Sequence, residues 1–558
     1  MSGTRKRILI IGGGAVGPKV ASRARRLAPT ADIKMVEAGK LVSYGACGMP
    51  YYVSGDIKTA DELLVRTPEY FRKHLDVDVL LETRAVSVDR GGRTVLCRDS
   101  GGREFPLPYD TLVLATGASP FVPPLEGRDL SGVFKLKDIP DMLAIADYVK
   151  KEEPRKAAII GAGLIGLEMA EAFRAKGMAV TVVEMLDWPL PALLDEEMAS
   201  ILSRHLDDQG VRLLLSQKAQ RFEGTQGGRV RRLVTAAEEV DCDIALLSIG
   251  VRPETSLAAQ AGLALGPTRA IAVNERLQTS DPAIYSGGDC VECRHLVTGK
   301  PVFVPLGSTA NKHGRVIGTN VAGGNDTFAG VAGTAVAKVF DVAVGRTGLS
   351  EREALQAGFN VVSSIVSPTA IAHYYPGAKR VTLKLVADAA NGRVLGAQCA
   401  GQGEVAKRID VIATAVSARM DVKALADMDL AYAPPFSPAM DAIHNAANVI
   451  RNKMAGIAKG ISPLELKKKM NDPDLIILDV RTDREWKLSR IDHPNVRHVP
   501  MAKLLEMDGG FCEGKEVVTL CHSSVRAYQA QKLLERKGCK NVKFLDGSLS
   551  AWPYELKE

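Results

Sequence analysis

The fold is decided by residues 8–17, which read ILIIGGGAVG. Four apolar residues of strand character run into the pattern G-x-G-x-x-G, and a helical stretch follows. In such a unit Gly12 allows the tight turn, Gly14 lets the backbone approach a pyrophosphate, and Gly17 lets helix and strand pack closely. Glu37, twenty residues after Gly17, ends a second apolar strand and can accept a hydrogen bond from a ribose hydroxyl. The stretch therefore predicts a Rossmann-like dinucleotide-binding unit.

The same unit recurs at residues 157–166, which read AAIIGAGLIG. Its glycines are Gly161, Gly163 and Gly166, and Glu184 follows the last of them by eighteen residues. Two units imply two dinucleotides, most economically a tightly held FAD in the first and a diffusing nicotinamide in the second. Glu184 favours NADH, because its carboxylate would repel the 2′-phosphate of NADPH. The alternative is that one repeat is a structural relic.

Three more strand ends fit a chain that folds around dinucleotides. Thr116 and Gly117 end one apolar strand and Gly250 ends another, as expected where the chain crosses between nucleotide domains. Asp289 follows a third strand and two glycines, from where it can approach a ribityl or pyrophosphate group. Taken alone, this last segment is compatible with any strand and turn.

Cys47 is the principal candidate for chemistry. It lies in the stretch SYGACGMPYY, residues 43–52, thirty positions after the first glycine fingerprint, and no second cysteine lies within a turn of it. A lone cysteine is usually a buried small hydrophobe. Here the adjacent nucleotide unit favours a redox thiol against a cofactor ring, with Ser43 as a cofactor-binding residue at the start of the stretch.

Residues 1 to about 455 resemble the pyridine nucleotide-disulfide oxidoreductase superfamily, in the branch with a single redox cysteine. That branch holds coenzyme A-disulfide reductase, NADH oxidase and NADH peroxidase. Residues 43–47 are similar to the coenzyme A-disulfide reductase motif Ser-Phe-Ala-Asn-Cys, with Tyr44 in place of Phe and Ala46 in place of Asn. The resemblance implies FAD, NADH and coenzyme A as cofactors and substrate, and Cys47 as the redox residue.

The resemblance also implies a pair of catalytic tyrosines and a homodimer. Tyr374 and Tyr432 match the paired tyrosine motifs of coenzyme A-disulfide reductases, in which the phenols reach the active site of the other subunit. They are candidate proton donors to a departing thiolate, although an interfacial tyrosine is most often packing with a satisfied hydroxyl. His444 lacks the following proline of the dithiol reductases and is interpreted as structural.

The phosphates of coenzyme A need cations. The resemblance places these contacts around Arg23, Arg26 and Lys73. The alternative is that these charges form a solvated helix face.

The last hundred residues carry an α/β pattern of their own. A strand at residues 516–520 runs into CHSSVR, residues 521–526, and then into a helix. This segment resembles a rhodanese, with Cys521 and Arg526 as its catalytic residues and a six-residue loop that favours sulfane sulfur over phosphate. Ser524 and Ser548 replace glycines that are common in that family. An inactive rhodanese that serves as a docking module is the alternative.

The expected fold is therefore α/β, with two Rossmann-like domains, an α+β dimerisation domain and a C-terminal α/β rhodanese domain. The expected boundaries are the first part of the FAD-binding domain at 1–150, the NADH-binding domain at 151–275, the second part of the FAD-binding domain at 276–328, the dimerisation domain at 329–455 and the rhodanese domain at 461–558.

Composition excludes several classes of protein. The net charge of +7 comes from 72 basic and 65 acidic residues without a concentrated basic stripe, so nucleic-acid binding is unsupported. No signal peptide or membrane span is visible. Nine cysteines without paired spacing indicate a reducing compartment, and we expect a cytoplasmic protein. Cys290 and Cys293 form a C-x-x-C, but no metal site is expected because no further ligand pair follows.

These observations together predict an FAD-dependent NADH oxidoreductase. It would reduce coenzyme A persulfide, polysulfide or related sulfane sulfur through Cys47, coupled to a sulfur carrier at Cys521. The alternatives are a coenzyme A-disulfide reductase, an NADH oxidase or peroxidase that works through a Cys47 sulfenic acid, and a redox sensor with little turnover.

Overall fold

The computed structural model describes residues 5–558, which divide into two compact units. The first unit comprises residues 5–161, 169–180 and 219–331, and the second comprises residues 162–168, 181–218 and 332–558. The two units are described separately below. Within residues 5–558, no helix combines the length and the apolar character needed to cross a bilayer.

The first unit is built on a five-stranded parallel sheet. Its strands, in order across the sheet, are Ile284–Ser286, Thr111–Leu114, Arg7–Ile11, Asp32–Val36 and Val77–Leu80. Ile8, Leu9 and Ile10 are at most 1% exposed, as expected for the central strand of a parallel sheet covered on both faces. The helices Val16–Leu27 and Gly307–Val321 pack together, and their apolar residues join the core on one side of this sheet.

Further strands and helices complete the first unit. A parallel set contains Val133–Lys135, Ile244–Leu247 and Lys156–Ile160. Two antiparallel sheets contain Thr83–Asp89, Thr94–Asp99 and Glu104–Pro108, and Ala219–Gly224, Val230–Thr235 and Glu239–Asp241. Two ribbons pair Ala118–Pro120 with Val251–Pro253 and Cys293–Arg294 with Pro301–Val302. The remaining helices are Ala46–Gly48, Met49–Ser54, Ala60–Leu63, Pro68–Leu75, Ile139–Glu152 and Ser256–Gln260.

The second nucleotide repeat begins with strand Lys156–Ile160 and continues across the boundary between the units. Its following elements are Leu164–Ala175, Ala179–Val183, Glu196–Asp208 and Val211–Leu214. The order of strand, glycine turn, helix and strand is the one predicted from the repeat of the glycine pattern.

A five-stranded antiparallel sheet dominates the second unit. Its order is Ala335–Val339, Val342–Gly348, Val394–Gly401, Val381–Asp388 and Val361–Val366. Every residue of Val381–Asp388 is buried. The helices of this region are Glu351–Gln356, Val405–Ser417, Val422–Ala426 and Ala442–Met454.

The C-terminal segment forms a second parallel sheet in the same unit. Its order is Gly460–Ile461, Val542–Leu545, Glu516–Leu520, Leu475–Asp479 and Val496–His498. Its helices are Pro463–Lys469, Asp483–Leu488, Met501–Glu506, Gly510–Cys512, Val525–Arg536 and Ser548–Ala551. Cys521 thus lies between the end of a central strand and the start of a twelve-residue helix.

One expectation about the cysteines is wrong. The lack of paired spacing among the nine cysteines gives no sign of a disulfide, but Cys512 and Cys539 form one, with Cα atoms 5.8 Å apart. The turn Gly510–Cys512 and the end of helix Val525–Arg536 bring them together across 27 residues. Spacing along the sequence does not reveal such a contact, because it depends on how two distant segments pack.

Candidate active site

The first glycine turn has the geometry of a phosphate cradle. A Cβ on Gly12, whose φ is +111°, would lie 2.1 Å from the Ala115 carbonyl oxygen, and one on Gly17 would lie 2.0 Å from the Gly12 carbonyl oxygen. Gly14 instead has no atom within 4 Å of a Cβ position. The open space lies where the backbone enters helix Val16–Leu27, and a dinucleotide pyrophosphate binds at such a helix start.

Glu37 and Glu184 hold equivalent positions in the two repeats. The Glu37 carboxylate accepts hydrogen bonds from the Gly13 and Gly39 N–H groups, both at 2.7 Å. The Glu184 carboxylate accepts from the Ala162 and Leu186 N–H groups at 2.8 and 2.9 Å. Each carboxylate is therefore fixed beside its glycine turn, where ribose recognition requires it.

The predicted crossover residues lie on one ribbon of the first unit. The Thr116 hydroxyl donates to the Glu254 carbonyl at 2.6 Å, beside the pairing of Ala118–Pro120 with Val251–Pro253. Gly117 and Gly250 have φ values of +70° and +101°, which favour glycine. Neither position has an atom within 4 Å of a Cβ.

Asp289 is half-buried at the turn after strand Ile284–Ser286, and burial raises the pKa of its carboxyl. The preceding Gly288 N–H donates to His313 Nδ1 at 3.1 Å. Burial lowers the pKa of His313 to about 4, so its ring is neutral and Nδ1 accepts while Nε2 carries the proton, 3.7 Å from the Cys293 sulfur. Sequence reasoning missed His313, since a lone histidine within a helix of mixed polar and apolar residues carries no signal of this contact.

Cys47 lies in the single turn Ala46–Gly48, and its side chain is exposed. The loop leaves the glycine turn directly, because the Ser43 N–H donates to the Gly13 carbonyl at 2.8 Å. The Gly45 N–H donates to the Leu63 carbonyl at 2.8 Å, and a Cβ on Gly48 would lie 2.3 Å from the Leu63 side chain. The turn that carries the thiol is thus held between the nucleotide turn and a neighbouring segment.

The other two cysteines of the first unit that sequence analysis singled out are buried. The Cys290 sulfur lies 3.3 Å from the Gly287 carbonyl oxygen, and burial raises the pKa of Cys293 to about 12. Such thiols are inert at neutral pH. In the described part of the chain, no group of three or more His, Cys, Asp or Glu side chains is arranged to hold a metal ion.

The predicted coenzyme A cations lie on two helices, Val16–Leu27 and Pro68–Leu75. Arg26 and Lys73 are exposed, while the Arg23 Nε donates to the Thr319 hydroxyl at 3.2 Å. The intervening Arg25 donates to the Leu75 and Asp76 carbonyls and so holds the two helices together.

Tyr374 and Tyr432 form a pair in the second unit. Both are exposed, at 66% and 54%, although they are large aromatic side chains. A hydrogen bond to Tyr432 raises the pKa of the Tyr374 phenol. By contrast His444 is buried, with Nδ1 accepting from the Asp441 N–H and Nε2 donating to the Met428 carbonyl. Both ring nitrogens of His444 are thus occupied by backbone groups, which supports a structural role for this histidine.

Cys521 lies at the base of the C-terminal loop and is 1% exposed. Arg526 donates two parallel hydrogen bonds to Glu485, at 2.8 and 2.6 Å. This pairing holds the pKa of the Glu485 carboxyl well below its usual range. The Cys521 and Ser524 N–H groups both donate to the Ser548 hydroxyl oxygen at 3.2 Å.

The segment that contains both glycine turns matches the sequence profile of one known protein family. The profile of the pyridine nucleotide-disulphide oxidoreductases matches residues 6–313. The chain belongs to this family. The dimerisation domain of pyridine nucleotide-disulphide oxidoreductases matches residues 334–443, and the rhodanese-like domain matches residues 462–554.

Three known proteins are similar to this oxidoreductase over most of its length. A Pyrococcus horikoshii protein named NAD(P)H coenzyme A polysulfide/persulfide reductase is 42% identical over 447 residues, covering 80% of this chain and 99% of the relative. The structure of a NAD-dependent persulfide reductase from A. fulgidus has a TM-score of 0.92 at 44% identity, covering 98% of this chain and 100% of the other. The structure of reduced CoADR-RHD from Bacillus anthracis has a TM-score of 0.93 at 34% identity, covering 99% and 98%.

Oxidoreductases of this family depend on FAD and use a pyridine nucleotide. The chain fits the flavin nucleotide, because Gly14 leaves open space at a helix start and Glu37 lies beside it. Asp289 fits as well, since its half-buried carboxylate accepts no hydrogen bond from the described residues. A bound flavin supplies two-electron transfer between a nicotinamide and a sulfur centre.

Proposed function

We propose that this oxidoreductase uses NADH to reduce coenzyme A persulfide, polysulfide or related sulfane sulfur to thiol and sulfide. The observation that carries the proposal is the exposed Cys47 thiol. The segment that leads to its turn is hydrogen-bonded to the first glycine turn, from the Ser43 N–H to the Gly13 carbonyl. The names of the relatives from Pyrococcus horikoshii and A. fulgidus support the same class of substrate.

A single thiol suffices for this reaction, because the substrate supplies the second sulfur. The Cys47 thiolate attacks the inner sulfur of the persulfide, which is coenzyme A's own sulfur atom. The persulfide S–S bond breaks, and hydrosulfide leaves with the electron pair. The resulting mixed disulfide is reduced by the two electrons of one NADH, which releases coenzyme A and restores the Cys47 thiolate. Attack on the outer sulfur instead releases the coenzyme A thiolate first and leaves a Cys47 persulfide, which the same two electrons reduce to hydrosulfide.

Other residues of the chain have defined parts in this proposal. Tyr374 and Tyr432 give a proton to the departing thiolate, as their shared hydrogen bond and their exposure support. In the related reductases such phenols act across a subunit boundary, so the proposal includes a homodimer formed through the dimerisation domain. Arg23, Arg26 and Lys73 bind the phosphates of coenzyme A.

The proposal also assigns the two nucleotide repeats and the domain boundaries. Residues 1–150 and 276–328 hold FAD, residues 151–275 hold NADH, residues 329–455 form the dimer interface, and residues 461–558 carry sulfur. Glu184 selects NADH, because a fixed carboxylate beside Ala162 repels a 2′-phosphate. A cytoplasmic location belongs to the same proposal, since seven of the nine cysteines are thiols outside the Cys512–Cys539 disulfide.

The rhodanese-like domain serves as a sulfur carrier. Cys521 lies on the loop that enters helix Val525–Arg536, and the positive end of the helix dipole favours a thiolate or persulfide anion. Cys521 takes up sulfane sulfur as a persulfide and delivers it to Cys47 or to an acceptor thiol.

The function is tested by measuring NADH oxidation and sulfide release without oxygen. The substrates are coenzyme A persulfide, inorganic polysulfide and coenzyme A disulfide, each supplied to the wild-type protein, Cys47→Ser and Cys521→Ser. We expect sulfide from the first two substrates with the wild-type protein and none with Cys47→Ser. Slower turnover of polysulfide by Cys521→Ser would show that the two thiols are coupled, and unchanged turnover would show that they act independently.

The Bacillus anthracis relative designated CoADR-RHD favours a second candidate, coenzyme A-disulfide reductase. The two functions differ in the product, since coenzyme A disulfide yields two thiols and no sulfide. Faster NADH oxidation with the disulfide than with the persulfide would establish this second candidate. Rapid oxygen consumption without any sulfur compound would instead identify an NADH oxidase.

A further inference from the structure

Two serines of the rhodanese-like domain have a backbone conformation that side chains disfavour. Ser524 and Ser548 have φ values of +74° and +49°, in the region that favours glycine. Both stand at positions where glycines are common in rhodaneses. This chain therefore has a side chain at two positions where the backbone conformation is strained for any residue except glycine. Strain of this kind persists where surrounding contacts fix it, and it concentrates at functional sites.

The two side chains form hydrogen bonds within and around the loop at residues 521–526, which we call the sulfur loop. The Ser548 oxygen accepts from the N–H groups of Cys521 and Ser524, both at 3.2 Å, and so ties two parts of the loop together. The Ser524 hydroxyl donates to the Leu545 carbonyl at 3.1 Å. Ser548 is fully buried, and water therefore does not compete for these bonds.

The Ser548 hydroxyl has one proton and two acceptors within reach. The Leu545 carbonyl oxygen lies at 3.2 Å and the Cys521 sulfur at 3.8 Å. A neutral thiol is a weak acceptor, so the carbonyl is the better partner for the resting protein. An anionic sulfur is a stronger acceptor, and rotation about one bond brings the proton to it.

The charged groups around the loop have partners of their own. Arg526 is paired with Glu485, Arg481 with Asp479, and the carboxylate of Asp546 with Lys453. Burial, and after it the charge of nearby arginines, lowers the pKa of His522. Ser548 is thus a neutral donor beside Cys521 that can turn toward the sulfur when charge develops there.

We propose that Ser548 is a positioning residue for sulfur transfer, which fixes the loop around Cys521 and donates a hydrogen bond from its hydroxyl to the persulfide anion on Cys521. This inference rests on the proposed sulfur-carrier function of Cys521. With thiosulfate as donor, the Cys521 thiolate bonds to the outer sulfur, the S–S bond of thiosulfate breaks, and sulfite leaves with the electron pair. The persulfide anion that remains is the species that Ser548 stabilises.

The test compares the full-length protein with Ser548→Ala after loading with thiosulfate. The lifetime of the Cys521 persulfide is followed by intact mass and peptide mapping, with Cys521→Ser as the blank. We expect a lifetime roughly tenfold shorter in Ser548→Ala, because a hydrogen bond to a charged group is lost. Ser550→Ala is the matched control, since Ser550 lies on the same turn and its hydroxyl donates to the His522 carbonyl at 2.8 Å, away from the sulfur.

A second measurement separates donation to sulfur from support of the loop. The pH midpoint for alkylation of the loaded persulfide should rise by about one unit in Ser548→Ala and stay unchanged in Ser550→Ala. Ser548→Gly, which relieves the φ of +49°, keeps the test available if the alanine variant does not fold. A shortened lifetime with an unmoved midpoint, or equal effects of Ser548→Ala and Ser550→Ala, would overturn the inference alone. A wild-type protein that takes no sulfur onto Cys521 would overturn the sulfur-carrier function together with it.

Discussion

Lys453 donates a hydrogen bond to the Asp546 carboxylate, and this ion pair joins helix Ala442–Met454 to the rhodanese-like domain. The two side chains are 13% and 7% exposed. Lys453 lies on helix Ala442–Met454 and also donates to the Ser363 carbonyl at 2.7 Å. Asp546 follows the last strand of the rhodanese-like domain and directly precedes the turn that carries Ser548. The segment that carries Ser548 is therefore anchored to helix Ala442–Met454.

Replacing Lys453 with Met should weaken the contact between helix Ala442–Met454 and the rhodanese-like domain. At alkaline pH the buried Asp546 carboxylate would have no cation, which costs about 3–5 kcal/mol, and at lower pH it would take up a proton and the cost would shrink. Hydrogen exchange of the amides in Val542–Leu545 should become faster. Lys459→Met is the control, since Lys459 is half-exposed and lies 3.7 Å from Glu535, a pair whose loss costs about 0–1 kcal/mol. Equal exchange in the two variants would show that the buried pair does not hold the domain.

The stability of the protein should depend on the proton of Asp546. Burial outweighs the attraction of Lys453 and raises the pKa of this carboxyl from 3.8 to about 6. The folded state then binds the proton more tightly than the unfolded state, so this group adds stability as the pH falls from about 6 to about 4. The gain should be roughly 3 kcal/mol at most and absent from Asp546→Asn. Urea unfolding of both proteins across this pH range measures the difference, and parallel curves would contradict the shifted pKa.

Gly14 and Gly17 should respond differently to alanine. A Cβ on Gly14 meets no atom within 4 Å, so Gly14→Ala should fold normally and lose most of its bound flavin. A Cβ on Gly17 would lie 2.0 Å from the Gly12 carbonyl oxygen, so Gly17→Ala should lower stability by about 1–3 kcal/mol. Flavin absorbance of the purified proteins and their thermal unfolding give both readouts. Normal flavin content in Gly14→Ala would show that the pyrophosphate does not lie there.

Glu184 should determine the choice of nicotinamide nucleotide. The double substitution Glu184→Ser and Met185→Arg replaces the fixed carboxylate and adds a cation at an exposed position. The ratio of kcat/KM for NADPH to that for NADH should rise by roughly tenfold or more, because one charged hydrogen bond is worth about 1.5–3 kcal/mol. Glu37→Ser is the matched change in the first repeat, and it should reduce flavin content without moving the ratio. An unchanged ratio in the double variant would place NADH selection elsewhere.

The elements that bind nucleotides are local in sequence, which is why sequence patterns predict them. A strand, a glycine turn, a helix and an acidic residue lie within thirty residues, and both repeats have the predicted order. The α/β architecture and the rhodanese-like segment follow from the same kind of pattern. Strand Glu516–Leu520 has the predicted bounds because its apolar run is short and ends at a loop.

Contacts between distant side chains were not predictable in this way. The pair of Lys453 and Asp546 spans 93 residues, and the His313 ring meets Gly288 across 25. Ser548 was noted only as a departure from a glycine, while its hydrogen bonds to the Cys521 loop require the fold. The disulfide of Cys512 and Cys539 belongs to the same class, since it depends on the packing of two segments.

Seven cysteines lie outside that disulfide, and among them Cys47 is exposed while the other six are buried. An electrophilic dye added to the native protein therefore has one fast point of attachment. The amount of dye taken up therefore counts the accessible Cys47 thiols. The extent to which a bound ligand slows the labelling measures the affinity of that ligand. The chain thus carries a built-in reporter, with no need for a cysteine-depleted background.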